Sequence, residues 1–320
     1  RTLPRSGLLG RNVWTWLHRS SASAKRIHRA VASRSRQSLP SKHYQQVILN
    51  PPVTSKAYDR AIFENPPWLK SKRKYKMGLN PTSLDGWITM HPKTEIIDHK
   101  KQLLVKKYKT VVARTKKSLA GQKAFAEFTG LDNLSTYPDS IANVASQIAE
   151  DVCIIDTSDS NRFVAGCVCS PSYWDLNKKI GQPLWNVHEA VDGLNSFLGE
   201  TIDRFVTGLT CGRPFQRENW FIHGDTKRMH LSPEEDLNNE PMSWFIRTER
   251  ETLCRIHEDF IVFTINPRFV PLNSILDYPE ALNSLKTVLK GFTEEEITYF
   301  GGRKKFAQLT NFLENNSTNS

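Results

Sequence analysis

Several common features are missing from the 320-residue sequence, and each absence removes a class of protein. There is no apolar run of about 18 residues, so we expect no membrane-spanning helix. The five cysteines are odd in number and form no C-x-x-C pair, which argues against a disulfide framework or zinc ribbon and favours a reducing compartment. Dinucleotide, P-loop, nucleophile-elbow, H-x-x-H and H-E-x-x-H motifs are also absent.

Acidic residues are scarce at the N-terminal end. Residues 1–40 contain no Asp or Glu, and residues 1–76 hold 17 Lys and Arg against only Asp59 and Glu64. The other 244 residues carry 27 bases and 31 acids, so nucleic-acid binding is not expected of the body. The Arg- and Ser-rich composition of 1–40 is typical of a mitochondrial transit peptide and predicts a location in the matrix. Alternatively, the basic arm of residues 1–76 is retained and binds RNA or an acidic partner surface.

Composition also predicts the domain organisation. We expect a transit-peptide-like segment over 1–40 and an extended, basic and Pro-containing linker over 41–76. The body then covers 77–312, with its core at 150–270, and 313–320 form a disordered tail.

Apolar periodicity in the body predicts an α+β fold. The predicted elements are a helix-permissive stretch over Leu103–Lys123, a hairpin of Asp151–Asp156 and Phe163–Cys169, an amphipathic helix over Leu194–Leu209, strands over Phe215–His223, Ser243–Ile256 and Phe260–Phe269, and C-terminal helices over Pro279–Phe312. The economical packing is a five-stranded antiparallel sheet with helices on one face. This is a PAS-like layout, in which sheet and helices enclose a pocket for a flat cofactor.

Histidines offer candidate ligands for that pocket. His188 precedes the amphipathic helix, where a neutral imidazole could ligate iron, although capping the helix is the commoner role. His223 and His230 flank a polar loop, where exposed side chains are common, and His257 at a strand turn has a structural role.

Two of the predicted strands carry large charged or amide side chains. They are Arg217–Trp220 and Arg247–Leu253. A buried charge costs several kcal/mol unless it is paired, so a strand built only for packing would avoid these residues. Opposite charges two apart, such as Arg247 and Glu249, would support each other on one face. From these residues alone, two alternatives stay open: a solvent-exposed face with ion pairs, or the wall of a polar ligand site.

A series of short segments carries a family resemblance. In chain order they are Met77–Leu79 with Trp87, Tyr137-Pro138, Glu150–Cys153, Ser170–Trp174, Lys179–Leu184, Val187–Val191, Asp203–Phe205, Arg217–Trp220, Arg247–Leu253 and Phe263–Ile265. No single segment is diagnostic, but the ordered series over about Lys76 to Gly302 resembles the haem-dependent oxidative N-demethylases, α-subunit-like group.

The resemblance implies a PAS-like domain that binds haem b and oxidises a small secondary amine with O2. It implies electrons from a separate flavin and iron–sulfur reductase, since the chain has neither module. It makes His188 the candidate proximal ligand, ahead of His223. The other implied site residues are Arg217, Asn219, Arg247 and Glu249 as catalytic groups, and Trp220 and Arg250 as haem contacts.

One departure from the family pattern bears on activity. After Phe263–Ile265 the family continues with Arg-Thr-Tyr, whereas this chain has Asn266-Pro267-Arg268. Loss of a cationic donor and of a strand N–H would alter specificity or abolish turnover if that arginine touches substrate. With the basic arm, this change motivates an alternative, a non-catalytic accessory subunit of a mitochondrial complex. A haem-based sensor is a weaker third reading, because no output domain is attached.

Overall fold

The computed structural model describes residues 55–69, 77–187, 194–234 and 240–316. Its strands are β1 (Asn80–Pro81), β2 (Val112–Arg114), β3 (Asp151–Asp156), β4 (Arg162–Cys167), β5 (Phe215–His223), β6 (Phe245–Arg255) and β7 (Phe260–Pro271). They form one seven-stranded sheet in the order β1-β5-β6-β7-β3-β4-β2, and all neighbours are antiparallel. The predicted α+β class is confirmed, and the five predicted strands are β3 to β7. The prediction missed the short strands β1 and β2 at the two edges, which carry too few residues to show a period of two.

Of the helices that the structure describes, five precede β3, three lie between β4 and β5, and three follow β7. In chain order they are α1 (Ser55–Glu64), α2 (Thr94–Lys106), α3 (Tyr108–Val111), α4 (Leu119–Thr129), α5 (Ser140–Ala145), α6 (Leu176–Lys179), α7 (Leu184–Val187), α8 (Leu194–Gly208), α9 (Pro279–Leu289), α10 (Glu294–Tyr299) and α11 (Gly302–Asn315). The predicted helical stretch over 103–123 is wrong in its middle, because Val112–Arg114 pairs with β4. Val112 is buried there, and its β-branched side chain suits a strand.

Strands β5, β6 and β7 give the sheet two chemically different faces. Side chains alternate along a strand and paired residues share a face. Face A is the side that carries Val152, Arg250 and Val262, and face B is the side that carries Cys153, Glu249 and Phe263.

Face A supports two separate apolar cores. One packs α2, α4 and α5 against β3, β4 and the ends of β6 and β7, with Ile141, Val144 and Ile148 all fully buried. The other packs α1 and α9 to α11 against the opposite ends of β5, β6 and β7, through Ile222 and Ile246.

Face B is covered at one end by α7 and α8 and beside β4 by α6. Leu184, Val206 and Leu209 pack against Leu253 and Ile261 there. Arg255 of β6 fixes the end of α8, because its guanidinium donates to the carbonyl oxygens of Val206, Thr207 and Leu209. The prediction that helices cover only one face is therefore wrong.

Two boundaries of the predicted organisation also change. Residues 55–69, expected to be extended, contain α1 and a 3-10 turn over Pro67–Leu69. Their side chains Ile62, Phe63 and Trp68 are buried in the second core, so hydrophobic burial orders this stretch. At the other end α11 continues to Asn315 with Leu313 fully buried, so the predicted tail begins too early.

A buried lysine joins α2 to the first long strand. Lys100 is 1% exposed, and its Nζ donates to the carbonyl oxygens of Ala145, Ile148 and Glu150. The Asp151 carboxylate lies 4.0 Å from this ammonium and accepts from the N–H groups of Cys169 and Ser170. Buried charges of this kind are retained only where they are paired and hydrogen-bonded.

All five cysteines are free thiols, and Cys167 and Cys169 are fully buried in the core. Within the described ranges, no helix combines the length and the apolar character that crossing a bilayer requires.

Candidate functional site

The four predicted catalytic residues meet on face B of the sheet. Arg217 and Asn219 of β5 stand directly opposite Glu251 and Glu249 of β6, and Arg247 lies two residues before Glu249 on the same face. The Asn219 amide donates to Glu249 Oε2 at 3.2 Å, and Arg217 Nε bonds Glu251 Oε2. The expected support between Arg247 and Glu249 is confirmed, since Arg247 Nε donates to Glu249 Oε1 at 2.9 Å. We call these five residues the face B array.

Within the array, the two arginines differ in what they can reach. Arg247 is fully buried, and its other nitrogens donate to the carbonyl oxygens of Arg228 and Ser170. Each of its three nitrogens donates to a protein atom and the side chain is fully buried, so Arg247 positions Glu249 and does not reach a ligand. The Arg217 side chain is 40% exposed. Its donors, and those of the partly exposed Asn219, can therefore meet a bound molecule.

Burial shapes the electrostatics of the array. Desolvation raises the pKa of the Glu249 carboxyl above its ordinary value, against the opposing effect of Arg247. The negative charge of Glu251 raises the pKa of Arg217, which therefore stays a cation. The array thus holds two arginines and two glutamates, and each glutamate bonds one arginine, so its charges largely balance.

A residue that the sequence reasoning missed approaches the same face from the C-terminal helices. Tyr299, the last residue of α10, is 40% exposed and packs with its ring centre 6.0 Å from that of Phe221. Burial of its hydroxyl and the nearby carboxylates of Glu249 and Glu251 raise the pKa of Tyr299 to about 12. At neutral pH the hydroxyl is therefore a donor. No local motif signals this residue, because only the fold brings α10 to β5.

Apolar side chains adjoin the array. Phe263 and Ile265 of β7 lie on face B, where Ile265 is opposite Glu251, and both are partly exposed although β7 is a central strand. Side chains in the centre of a sheet are normally covered by a packed layer. Here the described helices cover the Leu253 end of face B and leave Phe263 and Ile265 partly exposed.

The predicted iron ligand, His188, lies outside the described residues. Its neighbour in sequence, Val187, is the last residue of α7. Val187 packs in an apolar cluster with Leu176 of α6 and with Cys153 and Phe263 on face B of the sheet. The other predicted haem contacts, Arg250 and Trp220, lie on face A. The ring centre of Trp220 lies 5.5 Å from that of Trp68 and 6.0 Å from that of Phe300, inside the second core.

Arg250 belongs to a buried network on face A, between the two cores. Its Nη2 donates to the carbonyl oxygen of Trp87 at 2.9 Å and lies 3.4 Å from Glu150 Oε1. The Glu150 carboxylate, fully buried, also accepts from the Thr89 backbone and from the Asn266 amide, at 3.0 and 2.9 Å. These bonds join the segment before α2 to the sheet.

The fold accommodates Asn266-Pro267, the two residues of β7 that differ from the family pattern. Asn266 is buried on face A, on the opposite side from the face B array. The carbonyl oxygen of Pro267 accepts from Arg228 Nη1 at 3.1 Å. The N–H and C=O positions of a strand residue point to the same side of the strand, so those of Pro267 both face away from β6. On that side lies β3, which begins only opposite Ile265 and does not reach Pro267. The missing N–H therefore removes no ladder bond.

His223 and His230, expected at the surface, are instead packed together at the end of β5. His223 is fully buried, and the ring centres of the two histidines are 4.7 Å apart. Burial, with Arg247 and Lys305 nearby, lowers the pKa of His223 to about 2, so its imidazole is neutral. His257 is 46% exposed at its strand turn.

Comparison with known proteins adds a family to this geometry. Residues 89–309 match a family model described as haem-dependent oxidative N-demethylase, alpha subunit-like. The match spans strands β2 to β7, the described helices α2 to α10 and most of α11, and leaves out β1. No curated protein matches the sequence.

Proposed function

Since the chain belongs to the haem-dependent oxidative N-demethylase, alpha subunit-like family, we propose that it binds haem b in a PAS-like pocket on face B. We further propose that it oxidises a small secondary amine with O2, using electrons from a separate flavin and iron–sulfur reductase. Such a reaction consumes O2, two electrons and two protons, and yields a primary amine, formaldehyde and water.

The observation that carries the proposal is the open, mixed surface in the middle of face B. A haem needs apolar contacts for its ring and polar donors for its carboxylates or for bound oxygen. Phe263 and Ile265 offer the first, and Arg217, Asn219 and Tyr299 offer the second, all partly exposed. The described residues therefore fit the group.

We propose that His188 would hold the haem iron. Val187 and the face B residue Phe263 pack against the same apolar cluster, which supports a ligand in the segment that follows Val187. The alternative, His223, is fully buried and already bonded through Nε2 to Ser172 Oγ at 3.0 Å. It would have to leave its packing to reach an iron.

Bound haem supplies the iron that activates O2, and the chain's own residues prepare the site around it. Arg217 and Asn219 donate to Glu251 and Glu249, and their remaining N–H groups would donate to a bound molecule. Arg247 in turn fixes Glu249. The carboxylates of Glu249 and Glu251 favour an ammonium ion or a donor nitrogen nearby. Tyr299 stays protonated at neutral pH and so acts as a further donor.

Haem titration tests this proposal. Haemin would be added to the purified full chain, to His188→Ala and to the control His257→Ala, whose imidazole is exposed at a turn. We expect a Soret band at one haem per chain for the wild type and the control. We expect His188→Ala to lose it or to show the spectrum of an altered axial ligand. A wild-type chain that takes up no haem would overturn the proposal.

A location in the mitochondrial matrix is proposed with this function, on the basis of the Arg-rich, acid-free residues 1–40. The 17 bases of residues 1–76 also favour contact with an acidic surface of a partner subunit. If the chain binds no haem, the accessory-subunit role becomes the better account. Pull-down from mitochondria with the full chain and with a form starting at residue 55, which keeps α1 and its buried side chains, would then test whether the basic residues before α1 hold the partner.

A further inference from the structure

Beyond the face B array, a second group of ligating side chains gathers around the end of β5. One nitrogen each of His223 and His230 and one oxygen of Glu234 lie within 4.8 Å of one another. His223 Nδ1 is 3.7 Å from Glu234 Oε2. Ligands at 2.0–2.1 Å in a tetrahedral zinc site stand about 3.4 Å apart, so closing this triangle needs shifts of roughly 1 Å or less.

The remaining polar atoms of all three side chains are already held. His223 Nε2 bonds Ser172 Oγ at 3.0 Å, and His230 Nε2 bonds the Asp225 carboxylate at 3.1 Å. Glu234 Oε1 accepts from the Gly224 N–H at 3.0 Å. Metal-binding histidines are usually oriented in this way, by a carboxylate or hydroxyl on the second ring nitrogen. Because Asp225 takes Nε2, the nitrogen of His230 left for an ion is Nδ1.

An unpartnered atom points into the gap. His223 is fully buried, and its Nδ1 has no hydrogen-bond partner within the part of the chain that the structure describes. A buried nitrogen left without a partner costs free energy, which an ion would recover by accepting its lone pair. His230 and Glu234 are only 11% and 9% exposed, so the group opens narrowly to solvent on their side.

We propose that His223, His230 and Glu234 bind one divalent transition-metal ion of the zinc class, with Asp225 orienting His230. Two imidazoles and a carboxylate suit zinc, and three protein ligands leave a fourth position for water. The site is separate from the proposed haem and makes no use of His188.

Two donors already occupy the Glu234 oxygen that faces the gap: the Tyr173 hydroxyl donates to Oε2 at 3.0 Å, and the Lys305 ammonium does so as well. Lys305 Nζ lies 3.0 Å from Glu234 Oε2, and burial lowers the pKa of this lysine. The ammonium and a metal ion therefore compete for the same carboxylate oxygen. This competition gives the proposal a distinctive consequence, because removal of Lys305 should tighten metal binding instead of weakening it.

The test uses the haem-free full chain, stripped with a chelator and titrated with Co2+ by visible absorption and with Zn2+ by calorimetry. We expect one ion per chain for the wild type and for the control His257→Ala. His230→Ala should bind at least about 100-fold more weakly, and Asp225→Asn about 10- to 100-fold more weakly. Lys305→Met should bind more tightly than the wild type.

Two results would overturn the proposal. One is a wild-type chain that takes up no ion, and the other is an unchanged affinity in both His230→Ala and Asp225→Asn. Circular dichroism checks each variant, and Asp225→Asn decides if His230→Ala does not fold, because Asp225 is 35% exposed and retains all three ligands. Haem uptake by the same variants is measured separately, so failure here leaves the haem proposal standing.

Discussion

The two arginines of the face B array should respond very differently to the same deletion. Arg247 is fully buried and bonds Glu249 and two carbonyl oxygens, whereas Arg217 is 40% exposed and bonds Glu251. Removing one partner of a buried ion pair leaves an uncompensated charge and costs about 3–5 kcal/mol. Removing an exposed partner typically costs about 1 kcal/mol or less. We therefore expect Arg247→Ala to lower the free energy of unfolding by about 3–5 kcal/mol and Arg217→Ala by about 1.

The pH dependence of this difference provides a second check. Burial already raises the pKa of Glu249 above its ordinary 4.5, and loss of Arg247 removes the group that opposes this shift. A carboxyl whose pKa is higher in the folded state destabilises the fold above that pKa. The penalty disappears below the unfolded value, because the folded state then binds no extra proton. The deficit of Arg247→Ala should therefore shrink as pH falls from 7 towards 4.5.

Urea denaturation followed by tryptophan fluorescence measures both variants at pH 7 and pH 5. Equal losses for the two arginines would refute the division into a positioning and a ligand-facing arginine. A deficit of Arg247→Ala that grows at pH 5 would refute the assignment of the cost to Glu249.

Two further predictions concern the C-terminal helices. Tyr299→Phe should leave the free energy of unfolding within about 0.5 kcal/mol of the wild type. In the haem-loaded protein it should weaken dimethylamine binding about 2- to 10-fold, the value of one hydrogen bond, in a titration of the haem absorption. Unchanged amine affinity would remove Tyr299 from the site. Leu285→Ala should destabilise by about 2–5 kcal/mol, because Leu285 is fully buried in the second core. Val105→Ala, at a side chain that is 76% exposed, is its control, and a similar loss in both would contradict the assigned core.

The sequence predicts the long elements of this fold well, because burial of one face imposes a clear period. The limits of β5 are correct, those of β6 and β7 agree to within two residues, and the alternation along β6 correctly separates Arg250 from Glu249. Short strands such as β2 and the helix α1 escape this reasoning. Their places depend on pairing and burial against distant segments, for which a window of a few residues carries no signal.

The site was predictable to the extent that it lies on strands. Pairing of β5 with β6 brings together residues that the sequence marks as unusually polar. Tyr299 is 80 residues from Asn219 in sequence and enters only through packing of α10. The burial of His223 was also missed, because a polar loop in sequence does not show that Tyr173, Glu234 and Lys305 close over it.

The two buried lysines allow local opening of the fold to be followed by chemical labelling. Lys100 and Lys305 are 1% and 2% exposed, with their ammonium groups engaged by carbonyl and carboxylate oxygens. An amine-specific reagent meets most lysines of a folded chain at the surface, but it can modify these two only after the surrounding structure opens. Their labelling rates would therefore time the opening of two distinct regions, α2 against β3 and α11 against β5, without any engineered probe.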